Sequence, residues 1–221
     1  LAKLHIDPKR LPVDAIAGEP ALPAERLDAA WLRARLAHPP LWEPELPEDL
    51  RQRFPELRRA AVLIPIVRRA DGLTVLLTQR TEHLTNHAGQ VSFPGGRAEE
   101  FDSSPIETAL RETEEEIGLT RRHVEIIGVL PDHVTASAYI VTPVVGLVAP
   151  PFDLTAESNE VADIFEVPLR FLMDGTNHQR MSFDLPDGAG RRSFYAMPYE
   201  RFFIWGATAG MLRNLFHLLR A

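Results

Sequence analysis

The chain of 221 residues contains no cysteine. That excludes disulfide cross-links, thiol catalysis, Cys-ligated zinc and iron–sulfur clusters. Lysine is nearly absent: of 24 basic residues only Lys3 and Lys9 are lysines. The bias is ordinary for a GC-rich coding sequence, and arginine is also the residue suited to bidentate phosphate recognition. Acidic residues outnumber basic ones, 31 to 24, for a net charge of −7. That balance argues against the basic face that nucleic-acid binding requires. No apolar run approaches the ~20 residues of a membrane span; Ala60–Val67 is strand-sized and interrupted by Pro65. The first residue is Leu1, no secretory signal is visible, and the final Leu219-Arg220-Ala221 is no peroxisomal address. The expectation is a soluble, cytoplasmic protein with neither nucleic-acid nor membrane partners. At this length one domain with an appended segment, or two small domains, are the sensible organisations.

Proline is unevenly spread. Nine of the 19 prolines fall within the first 55 residues. Residues 1–55 therefore read as a proline-rich N-terminal arm outside any regular sheet, followed by a domain over 56–221. The arm holds one helix candidate, Pro23 to His38, closed by Pro39-Pro40. Its Trp31, with Trp42, would cover the core or join a homodimer interface. From Ala60 the texture changes. Ala60–Val67 and Leu73–Thr78 flank Arg69-Ala70-Asp71-Gly72, a hairpin signal. Gln90–Phe93 runs as a short strand into Pro94-Gly95-Gly96, and a helix follows. Strands are expected at Val124–Leu130, Tyr139–Val148 and Ile164–Val167, with a short helix from Pro168. A second hairpin, His178–Leu185 with Arg192–Met197, turns at Pro186-Asp187-Gly188, and a last helix spans Trp205–Leu219, where the small residues Gly206, Ala207, Ala209 and Gly210 permit close packing. This order suggests an α/β or α+β sandwich.

The helix after the glycines carries the chemistry. Ser104 suits an N-cap, Pro105 the first helical position, Glu107 the third and Gly118 the C-cap, so the helix spans Pro105–Ile117. Ile106, Leu110, Thr113 and Ile117 share one face. Glu112, Glu115 and Glu116 lie roughly 140° away at about 100° per residue. Like charges at these spacings repel by about 0.2–0.5 kcal/mol per pair, and the helix dipole disfavours anions in the last turn. A bound hard cation would turn this repulsion into coordination, because carboxylate oxygens are the ligands that Mg²⁺ or Mn²⁺ prefer.

Gly96, followed by Arg111-Glu112-Thr113-Glu114-Glu115-Glu116-Ile117-Gly118-Leu119, resembles the Nudix box: Gly, five residues, Glu, seven residues, then R-E-aliphatic-x-E-E-x-G-aliphatic. The R-E-x-x-E-E-x-G core matches in full. Two positions depart: the early acid is Asp102, eight residues before Arg111 rather than seven, and Thr113 replaces an aliphatic. Upstream, Leu76-Leu77-Thr78-Gln79-Arg80-Thr81, then Gly89, then Phe93-Pro94-Gly95-Gly96 is similar to the motif that precedes this box in coenzyme A pyrophosphatases. Thr81 replaces its small residue and Thr85 its inner arginine. Val141-Thr142-Pro143 and Ile204–Thr208 also look like segments of bacterial members, so the resemblance covers about Arg59 to Leu219.

The resemblance implies a Nudix fold, a mixed β-sheet sandwiched between helices. It also implies metal-dependent hydrolysis of CoA and its derivatives to 3′,5′-ADP and 4′-phosphopantetheine. ADP-ribose, NADH or a dinucleoside polyphosphate is the alternative substrate, and a non-catalytic nucleotide-binding regulator is the alternative outside enzymes. Glu112 and Glu116 would ligate Mg²⁺ or Mn²⁺ with the Gly96 carbonyl. Glu115 would be ligand or general base, with Arg111 orienting it across one helical turn. Glu160 is the candidate for a downstream acidic ligand or base. Arg80, Arg97, His87, Gln90 and Gly95 are the candidates for substrate contact, since a chain of net −7 must attract an anionic substrate through local cations.

Overall fold

The computed structural model describes residues 7–45, 54, 56–84, 88–185 and 190–221. Thr85 and the turn at Pro186-Asp187-Gly188 lie outside them. The elements are β1 (Val13–Ile16), α1 (Ala29–Ala37), β2 (Arg58–Arg69), β3 (Gly72–Arg80), β4 (Val91–Ser92), β5 (Gly95–Arg97) and α2 (Pro105–Ile117), then β6 (Val124–Val129), β7 (His133–Val134), β8 (Tyr139–Val148), β9 (Val161–Pro168) and α3 (Leu169–Leu172), and finally β10 (Gln179–Asp184), β11 (Arg191–Tyr199), β12 (Phe202–Trp205) and α4 (Gly206–Arg220).

Eight strands form a mixed sheet whose long members lie in the order β9-β3-β2-β8-β6. β2 and β8 run parallel from Arg58↔Tyr139 to Val67↔Val148, and the other pairs are antiparallel. The short β5 lies along the first half of β2, with Gly96 opposite Ala61 and Gly95 opposite Val62. Successive side chains of a strand point to opposite faces. Ala60, Ile64 and Ile66 accordingly join the main core with Leu212, Leu215 and Phe216 of α4. Ala61 and Leu63 pack on the other face with Ala109 of α2, and Val67 with Ile117. Helices cover both faces, which is why β2 reads as a near-continuous apolar run. This is the Nudix sandwich expected from the sequence.

A second, four-stranded antiparallel sheet has the order β1-β10-β11-β12. It corrects the reading of the arm as lying outside any sheet: Val13 pairs with Met181 and Ile16 with Gln179. Four residues between Pro12 and Pro20 suffice for an edge strand, where proline neighbours are tolerated. The arm's helix also begins later than expected. Ala24–Arg26 is a 3₁₀ turn, and Asp28 then caps α1 by accepting the Ala30 and Trp31 N–H groups at 2.8 and 3.0 Å. Leu32 and Leu36 of α1 enter the main core, and Trp31 and Trp42 pack against it. Trp205, expected to open the last helix, instead ends β12. A Cβ at Gly210 would come 2.8 Å from the His133 ring, so the small residue there does permit close packing, whereas a Cβ at Gly206 would meet nothing within 4 Å and that glycine instead serves a backbone φ of +61°. Among the described residues no helix is long and apolar enough to cross a membrane.

Candidate active site

α2 forms as its sequence dictates. Ser104 Oγ accepts the Glu107 N–H at 3.3 Å, and Gly118 closes the helix in the left-handed region at φ +69°. Thr113 is buried in the apolar face, and its hydroxyl is satisfied by donating to the Ala109 carbonyl at 2.6 Å. Glu116 is buried as well, its side chain only 8% exposed. Its cover comes from the sheet rather than from the helix. The Gly95 N–H donates to Glu116 Oε2 at 3.1 Å, and Arg80 Nη1, at the end of β3, stands 3.8 Å from Oε1. Burial pushes the Glu116 carboxyl up to about 7; the Gly95 N–H and Arg80 pull it down, and the charges of Glu160 and Glu112 push it further up.

The glycine pair is required by close approach. Gly95 has φ +148°, and a Cβ there would come 2.5 Å from Val62 Cα. A Cβ at Gly96 would come 2.5 Å from the Glu112 carboxylate carbon. Glu112 therefore lies directly on the loop backbone. Its carboxyl is raised, first by burial and further by Glu115 and Glu160, against the opposing effect of Arg111.

Arg111 is the hub of the site. Its Nη1 donates to Glu112 Oε1 at 2.8 Å and to Glu115 Oε2 at 3.0 Å, the latter across one helical turn as expected. Its Nε and Nη2 donate to the two Asp102 oxygens at 2.9 and 2.8 Å, and Nη2 also donates to the Arg97 carbonyl at 3.1 Å. Asp102 thus answers the question its spacing raised. The loop carries one extra residue, yet the carboxylate reaches Arg111 as a bidentate pair. It also accepts the Glu99 N–H and the Thr108 hydroxyl, each at 2.9 Å. The Arg111 guanidinium holds the Asp102 carboxyl well below the usual range. The sequence signal for this role was the five-residue spacing from Gly96.

The structure brings Glu112, Glu115, Glu116, Arg111, Gly95, Gly96 and Arg80 together. Glu160 is exposed, and its charge acts on both Glu112 and Glu116. Two other candidates contribute backbone: the Arg97 carbonyl binds Arg111 while its side chain is exposed, and the Gln90 carbonyl accepts the Arg80 N–H at 2.9 Å. His87 lies outside the described residues. Among the described residues, no three His, Asp or Glu side chains stand ready as a metal cage; Arg111 bridges Glu112 and Glu115 instead. The donor chemistry nevertheless fits a hard divalent cation. All donors are oxygens, and among the described residues Glu116 is buried with one N–H donor and a guanidinium 3.8 Å away to offset its charge. The buried Arg80 Nε has no hydrogen-bond partner among the described residues.

Comparison with known proteins agrees. A model of the NUDIX domain matches residues 57–182. The uncharacterized Nudix hydrolase NudL of Escherichia coli K12 is 47% identical over 160 residues, covering 72% of this chain and 81% of NudL. The same values hold for NudL of Escherichia coli O7:K1. Among solved structures, a C. elegans Ap4A hydrolase binary complex superposes on 50% of this chain and 80% of its own, with a TM-score of 0.44 and 21% identity. The MutT protein of Methanosarcina mazei Go1 covers 53% and 83%, with a TM-score of 0.43 and 24% identity. On the extent of the domain match and the identity to NudL, the chain belongs to the Nudix hydrolase family and is a pyrophosphohydrolase of nucleoside diphosphate derivatives.

Proposed function

We propose that the substrate is coenzyme A or one of its derivatives, hydrolysed at the diphosphate to 3′,5′-ADP and 4′-phosphopantetheine. The observation that carries this reading is the Leu76–Gly96 segment. Its pattern is similar to that of coenzyme A pyrophosphatases, and its two ends, Arg80 and Gly95-Gly96, border Glu116 and Glu112. Glu112, Glu116 and the Gly96 carbonyl would hold Mg²⁺ or Mn²⁺, with Glu115 as a further ligand or the general base. Such a cation, when bound, neutralises diphosphate charge and lowers the pKa of water. Arg111 holds Glu112 and Glu115 in place through Asp102. Glu160, exposed beside the triad, accepts the proton of the attacking water or completes the oxygen donor set. Arg80 and Arg97 supply local positive charge for phosphate oxygens, and His87 and Gln90 are the further candidates for substrate contact. Water adds across the P–O–P linkage, and each phosphoryl group leaves with one oxygen of the broken bridge or of that water.

A second substrate reading, ADP-ribose, NADH or a dinucleoside polyphosphate, is favoured by Thr85, which stands where the motif has an arginine. One assay separates them. The protein is incubated with each substrate and Mg²⁺ or Mn²⁺, and the products are resolved. Release of 3′,5′-ADP from CoA, abolished by EDTA, is the expected outcome. No 3′,5′-ADP alongside clear turnover of another substrate would refute the CoA reading, and turnover in EDTA would refute the metal.

A further inference from the structure

The turn that carries Glu160 contains a second carboxylate with a different task. Glu157 Oε2 accepts the backbone N–H groups of Asn159 at 2.8 Å and Glu160 at 3.1 Å, and its Oε1 accepts Asn159 Nδ2 at 2.8 Å. The Glu157 carbonyl accepts the N–H groups of Glu160 at 3.1 Å and Val161 at 2.8 Å. Its own N–H donates to the Glu116 carbonyl at 2.8 Å, in the last turn of α2. From the opposite side, the Thr81 N–H donates to the Glu160 carbonyl and the Thr81 hydroxyl to the Asn159 carbonyl, both at 3.0 Å. The turn is therefore fixed between the end of α2, at a triad residue, and the residue following Arg80.

Glu157 and Glu160 divide the work by their partners. Glu157 directs its oxygens to three N–H donors. The Glu160 carboxylate is exposed and makes no hydrogen bond or ion pair among the described residues, so it is free to face the site. We infer that Glu157 is a positioning residue for the reaction, folding the 157–160 turn so that the Glu160 carboxylate is held beside Glu112 and Glu116. The inference rests on the reading of Glu160 as base or ligand. An exposed turn would otherwise leave that carboxylate to sample many orientations, and a group about 1 Å out of place can lose 10²-fold in rate.

The test is a double-mutant cycle in the full chain, with Mn²⁺ and whichever of CoA, ADP-ribose, NADH or diadenosine tetraphosphate is turned over fastest. The variants are Glu157→Ala, Glu160→Gln and both together, with folding checked by circular dichroism; Glu157→Gln replaces the alanine variant if that one does not fold. Glu157→Ala is expected to lower kcat about 10–100-fold, the range for groups that orient a ligand or base, with KM nearly unchanged. On the Glu160→Gln background the same change should matter less than about twofold, because both substitutions remove one contribution. Glu157→Asp should restore most of kcat, since a shorter carboxylate suits the acceptor position two and three residues before its N–H donors. Equal losses on both backgrounds would overturn the inference while leaving Glu160 in its role. Wild-type kcat in Glu160→Gln would remove the role of Glu160, and the inference with it. Inert CoA with another substrate turned over removes only the CoA reading, and the cycle then decides on that substrate.

Discussion

Replacing Glu116 with glutamine isolates the electrostatic cost built into the site. In the folded chain this carboxyl is pushed up from 4.5 to about 7, chiefly by burial. At about 1.4 kcal/mol per pH unit, the displacement is worth about 3 kcal/mol. The sign follows from proton binding. Between pH 4.5 and 7 the folded chain holds a proton that the unfolded chain has released, so this group makes stability fall as pH rises. Above 7 its contribution is flat and fully unfavourable. Glutamine is neutral throughout, and its Oε1 can still accept the Gly95 N–H. Relative to wild type, Glu116→Gln should therefore gain about 2.5 kcal/mol between pH 5 and pH 8, the rest of the displacement lying below pH 5. Glu112 is raised by burial, Glu115 and Glu160, all common to the two chains, so its contribution cancels in the difference. His133 and His178, both lowered to about 4, are common to the two chains and cancel in the difference. The assay is urea unfolding of both chains in EDTA at pH 5, 6, 7 and 8. Mn²⁺ added at pH 7.5 should then raise the wild-type midpoint and leave that of Glu116→Gln nearly unmoved. Parallel pH dependences, within about 0.5 kcal/mol, would refute the assignment of a buried, under-neutralised carboxylate.

Two further substitutions probe the scaffold. Gly96→Ala places a methyl group against the Glu112 carboxylate, which must move; kcat should fall about 100-fold with little change in Tm, and wild-type turnover would contradict the close packing. Arg213→Met removes a guanidinium 3% exposed that clasps Glu19 and Glu45 of the N-terminal arm. Urea unfolding should show a loss of about 3 kcal/mol, because removing one partner of a buried pair strands the others. Glu19 and Glu45 are both held at about 2, so this stabilisation is present above pH 4.5 and disappears as pH falls towards 2. An unchanged midpoint at pH 7 would refute the clasp.

Much of this arrangement was legible in the sequence because it is local. Ser104, Pro105 and Gly118 bound α2 to the residue, and the continuous, strand-sized apolar run of Ala60–Val67 located the central strand. What escaped was decided by partners distant in the chain. The helical spacing puts Glu116 away from the apolar face, yet it is buried. Its cover is Gly95, which reaches it only because β5 folds back along β2. The arm's strand escaped because four residues between prolines carry no periodicity, and β10, more than 160 residues later, supplies the ladder. Glu157 carries no signal in the sequence, since its carboxylate accepts backbone N–H groups two and three residues on.

The acidity of α2 resolves differently on its two sides, and the difference supports the side proposed as reactive. On the outer side Arg121 pairs with Glu107 at 2.8 Å and Glu114 at 3.0 Å, as on an ordinary solvated helix. On the inner side Arg111 serves Asp102, Glu112 and Glu115 together. Glu116 is left with Arg80, whose guanidinium stands 3.8 Å away, and the exposed Glu160 carboxylate has no ion pair among the described residues. A purely structural acidic face would turn its surplus carboxylates to water, as Glu115 does at 60% exposed. Glu116 is instead buried where its charge is least neutralised. Burying a carboxylate with so little compensation lowers stability, and such violations concentrate at functional sites. The unneutralised charge is thus gathered at the meeting point of α2, β3, the glycine loop and the Glu160 turn, where a divalent cation would complete the electrostatics.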